Sequence, residues 1–189
     1  MAKVQEFFIS DTHFLDNGLI RHEKRPPNND DLIRAKWLKT VSDKDTVYHL
    51  GDLARGPNNQ VAKAMEGLPG IKILVVGNHD RRSPRFYRGI GFSAVVTQLR
   101  IPLDKRTDGL TSERQLLLTH EPLRYVDHDE VNVHGHTHYS DLWGGIHPQI
   151  NVSVDATGFA PISFNRVRKL ALEILDSQNL DMDMQAAGF

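Results

Sequence analysis

Ten histidines lie in this chain, and five of them stand in short polar segments, three of which contain acidic or amide side chains. The segments are Asp11-Thr12-His13, Asn78-His79-Asp80, Thr119-His120-Glu121 and His136-Thr137-His138. With Asp52 they offer carboxylates, an amide and several imidazoles, a mixed oxygen and nitrogen set that suits Mn, Fe or Zn better than Ca or Mg. The residue types therefore predict a metal site in preference to a proton relay.

The spacing within these segments supports the same chemistry. Asp11 and His13 are two residues apart, so on an extended backbone both side chains leave one face and reach one ion. His136 and His138 have the same spacing. A glycine precedes several of the candidate ligands, where a missing Cβ permits a tight turn or a close backbone approach; these glycines are Gly51, Gly77 and Gly135.

Buried strands are predicted directly before most of the polar segments. Apolar and β-branched runs predict strands at 4–9, 46–50 and 71–76, with helices at 31–41 and 58–67 between them. Further strands are predicted at 94–101, 115–119 and 131–133 in a second sheet, with another at 149–154, a hairpin loop at 107–114 and a closing helix at 165–176. Loops converge beyond the carboxyl ends of strands in open α/β sheets, so we expect the polar segments to share one site.

Length and composition limit the classes of protein that fit. The chain of 189 residues, 39% hydrophobic and 25% charged, predicts one domain over 1–177 and a polar, mobile C-terminal tail over 178–189. The formal net charge of -1 gives no global field for nucleic acid. The chain lacks cysteine, which excludes disulfides and zinc thiolate sites. No segment has the pattern of a signal peptide or a membrane span, and we expect a soluble, cytoplasmic protein.

Taken in order, the segments resemble a known family. Asp11-Thr12-His13, Gly51-Asp52, Gly77-Asn78-His79-Asp80, His120 and Gly135-His136-Thr137-His138 are similar to the blocks of the calcineurin-like metallophosphoesterase superfamily. The opening segment through Arg25-Pro26 resembles the small bacterial and phage members. The resemblance covers residues 8–138, and it implies an α/β fold, a four-layer α-β-β-α sandwich with two mixed β-sheets flanked by helices.

The resemblance also implies how the ligands are shared between two divalent metal ions. One ion would be held by Asp11, His13 and His138. The other would be held by Asn78, His120 and His136, and Asp52 would bridge both. Two dications less two carboxylates and one hydroxide leave a charge of about +1, which attracts phosphate. We expect Mn²⁺, with Fe, Zn or Ni as alternatives.

The implied activity is that of a phosphoesterase acting on phosphate esters, phosphodiesters above all, by in-line attack of a metal-bridging hydroxide. His79 would serve the leaving oxygen as a catalytic residue. Arg21, Arg25 and Arg81 would bind substrate phosphates, although their arginine-rich segments also fit a solvated basic face. Asp80 would orient its turn, while His49 and His134 stay undecided between structural and substrate-binding roles.

Other functions stay open at this point. A phosphomonoesterase acting on a small molecule or nucleotide is the main alternative, and a non-catalytic scaffold of the same fold is a different class. A histidine-rich zinc module that binds nucleic acid fits poorly with the neutral net charge. The second Asp of serine/threonine protein phosphatases is absent after Asp52, which argues against that substrate class. We expect a small-molecule or nucleotide phosphate ester as partner, and neither a membrane nor stably bound nucleic acid.

Overall fold

The computed structural model describes residues 3–103, 114–139, 141–143 and 147–186, with side chains described up to Ser177. Apart from Arg114, the hairpin loop predicted at 107–114 lies outside these residues. None of the helices in the described part of the chain combines the length and the apolar character that a membrane span requires.

The first sheet has five strands. β1 (Glu6–Ile9), β2 (Thr46–His49), β3 (Ile71–Val75) and β4 (Phe92–Val96) run parallel, and β9 (Ile162–Ser163) pairs antiparallel with β1. The order across the sheet is β4-β3-β2-β1-β9. Phe7 and Ile9 of β1 belong to one buried cluster and Phe8 to another, so both faces of this strand are covered. This explains the continuous apolar runs, which are typical of buried parallel strands.

The second sheet has four strands. β5 (Leu99–Pro102) pairs antiparallel with β6 (Gln115–Leu118), which continues in parallel to β7 (Glu130–His134) and β8 (Gln149–Asn151). A core forms where Phe8, Tyr48 and Val75 of the first sheet are clustered with Leu116 and Val133 of the second.

The helices are α1 (Asn17–His22), α2 (Asn29–Thr40), α3 (Asn58–Met65), α4 (Pro84–Gly89), α5 (Val154–Thr157) and α6 (Phe164–Ala186). Ile33 and Trp37 of α2 and Val61 of α3 join the cluster on the first sheet, whereas Val167 and Ala171 of α6 join the cluster shared by both sheets. Two mixed sheets flanked by helices confirm the predicted fold class.

Three features differ from the sequence-based prediction. The apolar run at 94–101 is not one strand of the second sheet, because the chain leaves β4 in the first sheet and enters β5 in the second. The short helices α1, α4 and α5 and the two-residue strand β9 were not predicted. The closing helix continues to Ala186 and covers most of the predicted tail, whose mobility stays a prediction.

The two sheets meet where their parallel strands end. The backbone of Ser10, directly after β1, forms a parallel bridge with Ser153, which follows β8. The N–H of Val154 donates to the carbonyl of Ser10 over 3.0 Å. This connection brings the carboxyl ends of strands from both sheets to a single edge, where the predicted ligands lie.

Candidate metal centre

The structure brings all the predicted metal ligands together at this edge. Each follows a strand: Asp11 and His13 after β1, Asp52 after β2, Asn78 after β3, His120 after β6, and His136 and His138 after β7. Every one of these side chains lies within 4.0 Å of at least one other in the set.

Asp11, His13 and His138 form a first group. The Oδ1 atom of Asp11 lies 3.9 Å from Nε2 of His13 and 3.7 Å from Nε2 of His138. One ligand atom from each residue lies within 4.8 Å of the others, which is a spacing that a single cation can span. This group matches the first ligand set that the family resemblance implies.

Asn78, His120 and His136 form a second group. The Oδ1 atom of Asn78 lies 2.8 Å from Nε2 of His120 and 3.1 Å from Nδ1 of His136. Asp52 stands between the two groups, because its Oδ2 atom is 3.4 Å from Nε2 of His13 and 3.5 Å from Nε2 of His120. Asp52 therefore lies between the two groups, where the family resemblance expects a bridging ligand.

The chemistry of the buried donors fits a cation. Oδ1 of Asp11 and Nε2 of His13 are buried and have no hydrogen-bond partner in the structure. Polar atoms buried in this way cost free energy unless something binds them, and a carboxylate oxygen facing an imidazole nitrogen is a site for a divalent ion. The carboxylates, imidazoles and amide suit manganese, iron or zinc.

Burial and charge set the protonation of these groups in the protein alone. Burial lowers the pKa of His13 to about 3, so its ring is neutral and can offer a lone pair. Burial also raises the pKa of Asp11 to about 6. Burial opposes the charged forms of Asp52 and His120, but their mutual hydrogen bond and attraction prevail and shift the pKa values to about 2 and about 9. A nearby cation would favour the carboxylate of Asp11 and neutral His120.

The backbone of the ligand loops is unusual. Asp11, His13, Asp52 and His136 have positive φ angles of 57°, 43°, 54° and 66°. Left-handed backbone costs about 1 kcal/mol or more in a residue with a Cβ, and such conformations cluster at functional sites. The extended backbone expected at Asp11 and His13 was wrong, because both residues have positive φ angles. Their side chains nevertheless lie together, as described above for the first group. Backbone hydrogen bonds from Asp11 to Gly51 and from His13 to Asp52, each 3.0 Å, support the turns.

Close packing explains the glycines beside the ligands. A Cβ atom on Gly77 would lie 2.5 Å from the backbone nitrogen of Asp52, and one on Gly135 would lie 2.7 Å from Cβ of Ser10. Gly51 has a φ of 94° and equally little room. The predicted close approach is confirmed at all three positions.

A sequence model of the calcineurin-like phosphoesterase superfamily domain matches residues 6–144, which contain every ligand described above. The chain belongs to this superfamily. Its members are metal-dependent, and the clustered aspartates and histidines of this phosphoesterase domain could bind metal.

Relatives of the domain occur in archaea, phages and bacteria. An uncharacterized protein of Methanocaldococcus jannaschii is 29% identical over 187 residues, covering 90% of this chain and 93% of the relative. The Gene 66 protein of Mycobacterium phage D29 is 28% identical over 180 residues, covering 79% of this chain and 87% of the relative. A solved structure from Aquifex aeolicus, of a protein of unknown function, has a TM-score of 0.70 at 27% identity and covers 89% of this chain and 100% of its own.

His79 lies at the open side of the phosphoesterase ligands. Its N–H donates to Oδ1 of Asp52 over 2.8 Å, and its ring nitrogen Nε2 lies 4.0 Å from Oδ2 of the same residue. The side chain is 53% exposed, in contrast to the buried ring of His13. A cleft of about 440 Å³ opens beside it, which we call the His79 cleft; it is lined by His13, Asp16, Ala54, Arg55, Gly56, Asn58, His79, Arg81 and Arg82.

A second opening is lined by residues of the second ligand group. This Asn78 cleft has a volume of about 320 Å³ and is lined by Val76, Gly77, Asn78, Thr97, Thr119, His120, Glu121 and Leu123. The two clefts share no lining residue, and each borders a different ligand group: the His79 cleft is lined by His13, and the Asn78 cleft by Asn78 and His120. A bound molecule could therefore extend from the ligands in two directions.

The predicted substrate arginines have different surroundings. Arg81 lines the His79 cleft, as a substrate contact requires. Arg21 is exposed on α1, where no described residue pairs with its side chain. Arg25 is buried, and its guanidinium donates to both carboxylate oxygens of Asp155, over 2.8 Å from Nε and 2.5 Å from Nη2. The predicted substrate role of Arg25 does not fit this burial.

Arg25 and Asp155 instead orient a ligand. Oδ2 of Asp155 lies 3.1 Å from Nδ1 of His138, so the ring presents Nε2 to Asp11. Burial opposes protonation of His138, but the hydrogen bond to Asp155 prevails and raises its pKa. Sequence reasoning missed Asp155, although it follows a predicted strand just as Asp11 and Asp52 do.

Asp80 connects the second and third ligand loops. Its carboxylate accepts hydrogen bonds from the backbone nitrogens of Asp52, Leu53 and Gly77, over 2.8, 3.1 and 2.9 Å. The hydroxyl of Tyr87 donates to it over 3.2 Å. Burial raises the pKa of Asp80, and the backbone donors favour its charged form. The predicted turn-orienting role fits these contacts.

The two undecided histidines have structural partners. Nδ1 of His49 accepts from the backbone nitrogen of Gly51 over 3.2 Å, which leaves Nε2 to donate to Thr12 over 3.0 Å. The hydroxyl of Thr12 then donates to the carbonyl of Leu53. Nδ1 of His134 lies 2.8 Å from the carbonyl of Gly135. Burial lowers the pKa of His49 to about 3 and that of His134 to about 4, so both rings are neutral.

Replacing Asp80 by asparagine should destabilise the fold and the metal centre together. The amide retains one acceptor oxygen and directs hydrogens toward backbone N–H groups that need an acceptor, which should lower the free energy of unfolding by about 1–3 kcal/mol. Urea denaturation measures this change. Tyr87→Phe removes a single donor to Asp80 and is the matched control. An equal loss of stability in both variants would contradict the role of Asp80 in connecting the two ligand loops.

Replacing Asp155 by asparagine should weaken one metal-binding step. The loss of the charge beside His138 should lower affinity at the first ligand group by about 10–100-fold, as is usual for carboxylates behind histidine ligands. Metal titration by calorimetry would show one step shifted and the other retained. Asp129→Asn, a change at a partly exposed carboxylate in the loop before β7, is the control. Equal shifts in both steps would contradict a local role.

Proposed function

We propose that this domain is a phosphodiesterase that uses two divalent cations, with manganese as the expected ion. The observation that carries the proposal is the position of Asp52 between the two ligand groups, with His79 exposed beside it. This arrangement gives a bridging carboxylate, three further ligands on each side and a proton donor at the open edge. The cytoplasmic location expected from the sequence stays a prediction.

The chain's own residues supply binding, orientation and proton transfer. Cations held by this set would lower the pKa of bound water and neutralise phosphoryl oxygens during in-line displacement. Asp52 and Asp11 hold the required negative charge at the centre of the site, and His13 offers a neutral ring. Asp11, His13, Asp52 and His120 are buried, which limits competing water around them and strengthens their electrostatic interactions. Asn78 and His136 are exposed at the surface of the site.

His79 is placed to assist the leaving oxygen. The hydrogen bond from its own backbone to Asp52 fixes the residue beside the bridging position, while its ring stays exposed in the His79 cleft. From there the imidazole can donate a proton to the oxygen that leaves phosphorus. The leaving group would then depart into this cleft.

The two clefts favour a diester over a monoester. A phosphodiester has two substituents on phosphorus, and the His79 cleft and the Asn78 cleft provide space for one on each side. A monoester needs only the first space, so the alternative phosphomonoesterase would leave the Asn78 cleft unused.

A non-catalytic scaffold is the candidate from a different class. It requires neither a complete ligand set nor an exposed histidine, and this chain has both. Hydrolysis of bis(p-nitrophenyl) phosphate and p-nitrophenyl phosphate during manganese titration distinguishes the three functions. Turnover of the diester supports the proposal, turnover of the monoester alone supports the alternative, and metal binding without any turnover supports the scaffold.

Replacing Asp52 by asparagine should abolish activity and weaken metal binding while the fold is retained. The amide preserves the acceptor for the N–H of His79 but removes the charge shared by both ligand groups, so kcat/KM should fall at least about 100-fold. Metal content after dialysis and circular dichroism are measured beside the rate. A variant with normal metal content and normal rate would contradict the bridging role.

Replacing His79 by glutamine should lower kcat and leave metal content unchanged. The loss of a general acid is expected to slow the reaction by about 10²–10⁴-fold, and the loss should be greater for a poor leaving group than for p-nitrophenol. His128→Gln, which alters another exposed histidine, is the matched control. Equal losses for good and poor leaving groups would argue against proton donation by His79.

A further inference from the structure

The His79 cleft has the dimensions of a small-molecule site. Its volume of about 440 Å³ lies within the usual range for pockets that hold small ligands. The side chains that bring charge or proton chemistry to it are His13, Asp16, Arg55, His79, Arg81 and Arg82. Because His79 lines it, this cleft is where the proposed leaving group would lie.

The cleft is locally basic. Three arginines, at positions 55, 81 and 82, line it, against a single carboxylate, that of Asp16. The whole chain has a formal net charge of -1, so this excess of positive charge is a property of the cleft and not of the protein surface in general. A basic wall beside the leaving group favours an anionic leaving group.

Arg82 uses its guanidinium in hydrogen bonds to other residues that line the cleft. Its guanidinium donates to Oδ1 of Asn58 over 3.0 Å and to the carbonyls of Ala54, over 3.1 Å, and Gly56. It also lies 5.4 Å from the ring centroid of Phe86. These contacts fix the loop that carries Arg55 and leave the other two arginines as the ligand-binding candidates.

Arg55 and Arg81 remain available to a ligand. The side chain of Arg55 is 73% exposed, and its ion pair with Oδ2 of Asp16, at 3.4 Å, holds it at the rim of the cleft. Arg81 is exposed, and its guanidinium has no hydrogen bond or ion pair with any residue whose side chain the structure describes. Guanidinium groups bind phosphate through paired hydrogen bonds, which makes phosphate the fitting anion.

We propose that the leaving group of the substrate carries a second phosphate, which Arg55 and Arg81 bind in the His79 cleft. This inference rests on the proposed function for its direction of cleavage. Water adds its oxygen to the phosphorus of the diester, and the bond from phosphorus to the leaving oxygen breaks. That oxygen takes a proton from His79, and the proton released by the attacking water replaces it on the imidazole. The products are a phosphate monoester and an alcohol that bears the second phosphate.

Hydrolysis of three dinucleotides tests the preference. TpT lacks a second phosphate, whereas pTpT and TpTp each place one on a different leaving group. The manganese-loaded protein should cleave at least one of the phosphorylated dinucleotides about tenfold faster, by kcat/KM, than TpT, as expected for one charge-assisted contact. Arg81→Gln and Arg55→Gln should each reduce this ratio, and Arg85→Gln, which alters an exposed arginine of α4 outside the cleft lining, should not.

Equilibrium binding gives a measurement that does not depend on turnover. The bisphosphate pTp should bind the manganese-loaded protein about tenfold tighter than the monophosphate pT. Arg81→Gln should remove that difference and Arg85→Gln should retain it. If this binding pattern is found but no dinucleotide is cleaved, the result supports the phosphate site and contradicts the proposed function. Equal affinities and equal rates with and without the second phosphate would overturn the inference.

Discussion

Two carboxylates buried next to each other are the constraint on which the rest of this structure depends. Asp11 is fully buried and Asp52 is 2% exposed; they follow the paired parallel strands β1 and β2, and a carboxylate oxygen of each lies within 4.8 Å of the other. Negative charge placed away from water must be compensated by opposite charge and hydrogen bonds. The imidazoles of His120 and His138 supply nearby compensation, and bound metal would complete it.

The surrounding architecture keeps this arrangement in place. Asp80 accepts backbone hydrogen bonds from two ligand loops, and the neutral ring of His49 connects Gly51 to Thr12. Asp155, in the helix after β8, forms a hydrogen bond with His138 and is itself held by Arg25. Buried polar contacts therefore stabilise the loops in which four ligands have left-handed backbone, and they offset the conformational free energy that this backbone costs.

Local sequence patterns predicted the strands that carry the ligands, because apolar runs and polar strand ends are visible without a fold. β1, β2 and β3 and the helices α2 and α3 lie where periodicity predicted them. The sequence at 94–101 did not show that the chain passes from the first sheet to the second, because a strand in either sheet has the same pattern of apolar residues. Arg25 was misinterpreted for a related reason: charge can be read from a sequence, whereas burial against Asp155 depends on contacts across 130 residues.

The separation in sequence between the ligands also determines when the site can exist during folding. The backbone nitrogen of His136 bonds to Asp11 across 125 residues, and the Asp155 that orients His138 comes later still. Contacts this distant in sequence form late, after loop closure has been overcome. During synthesis a nascent chain ending before β7 holds only part of the ligand set. The complete set of candidate metal ligands is therefore present only in molecules whose two sheets have already joined.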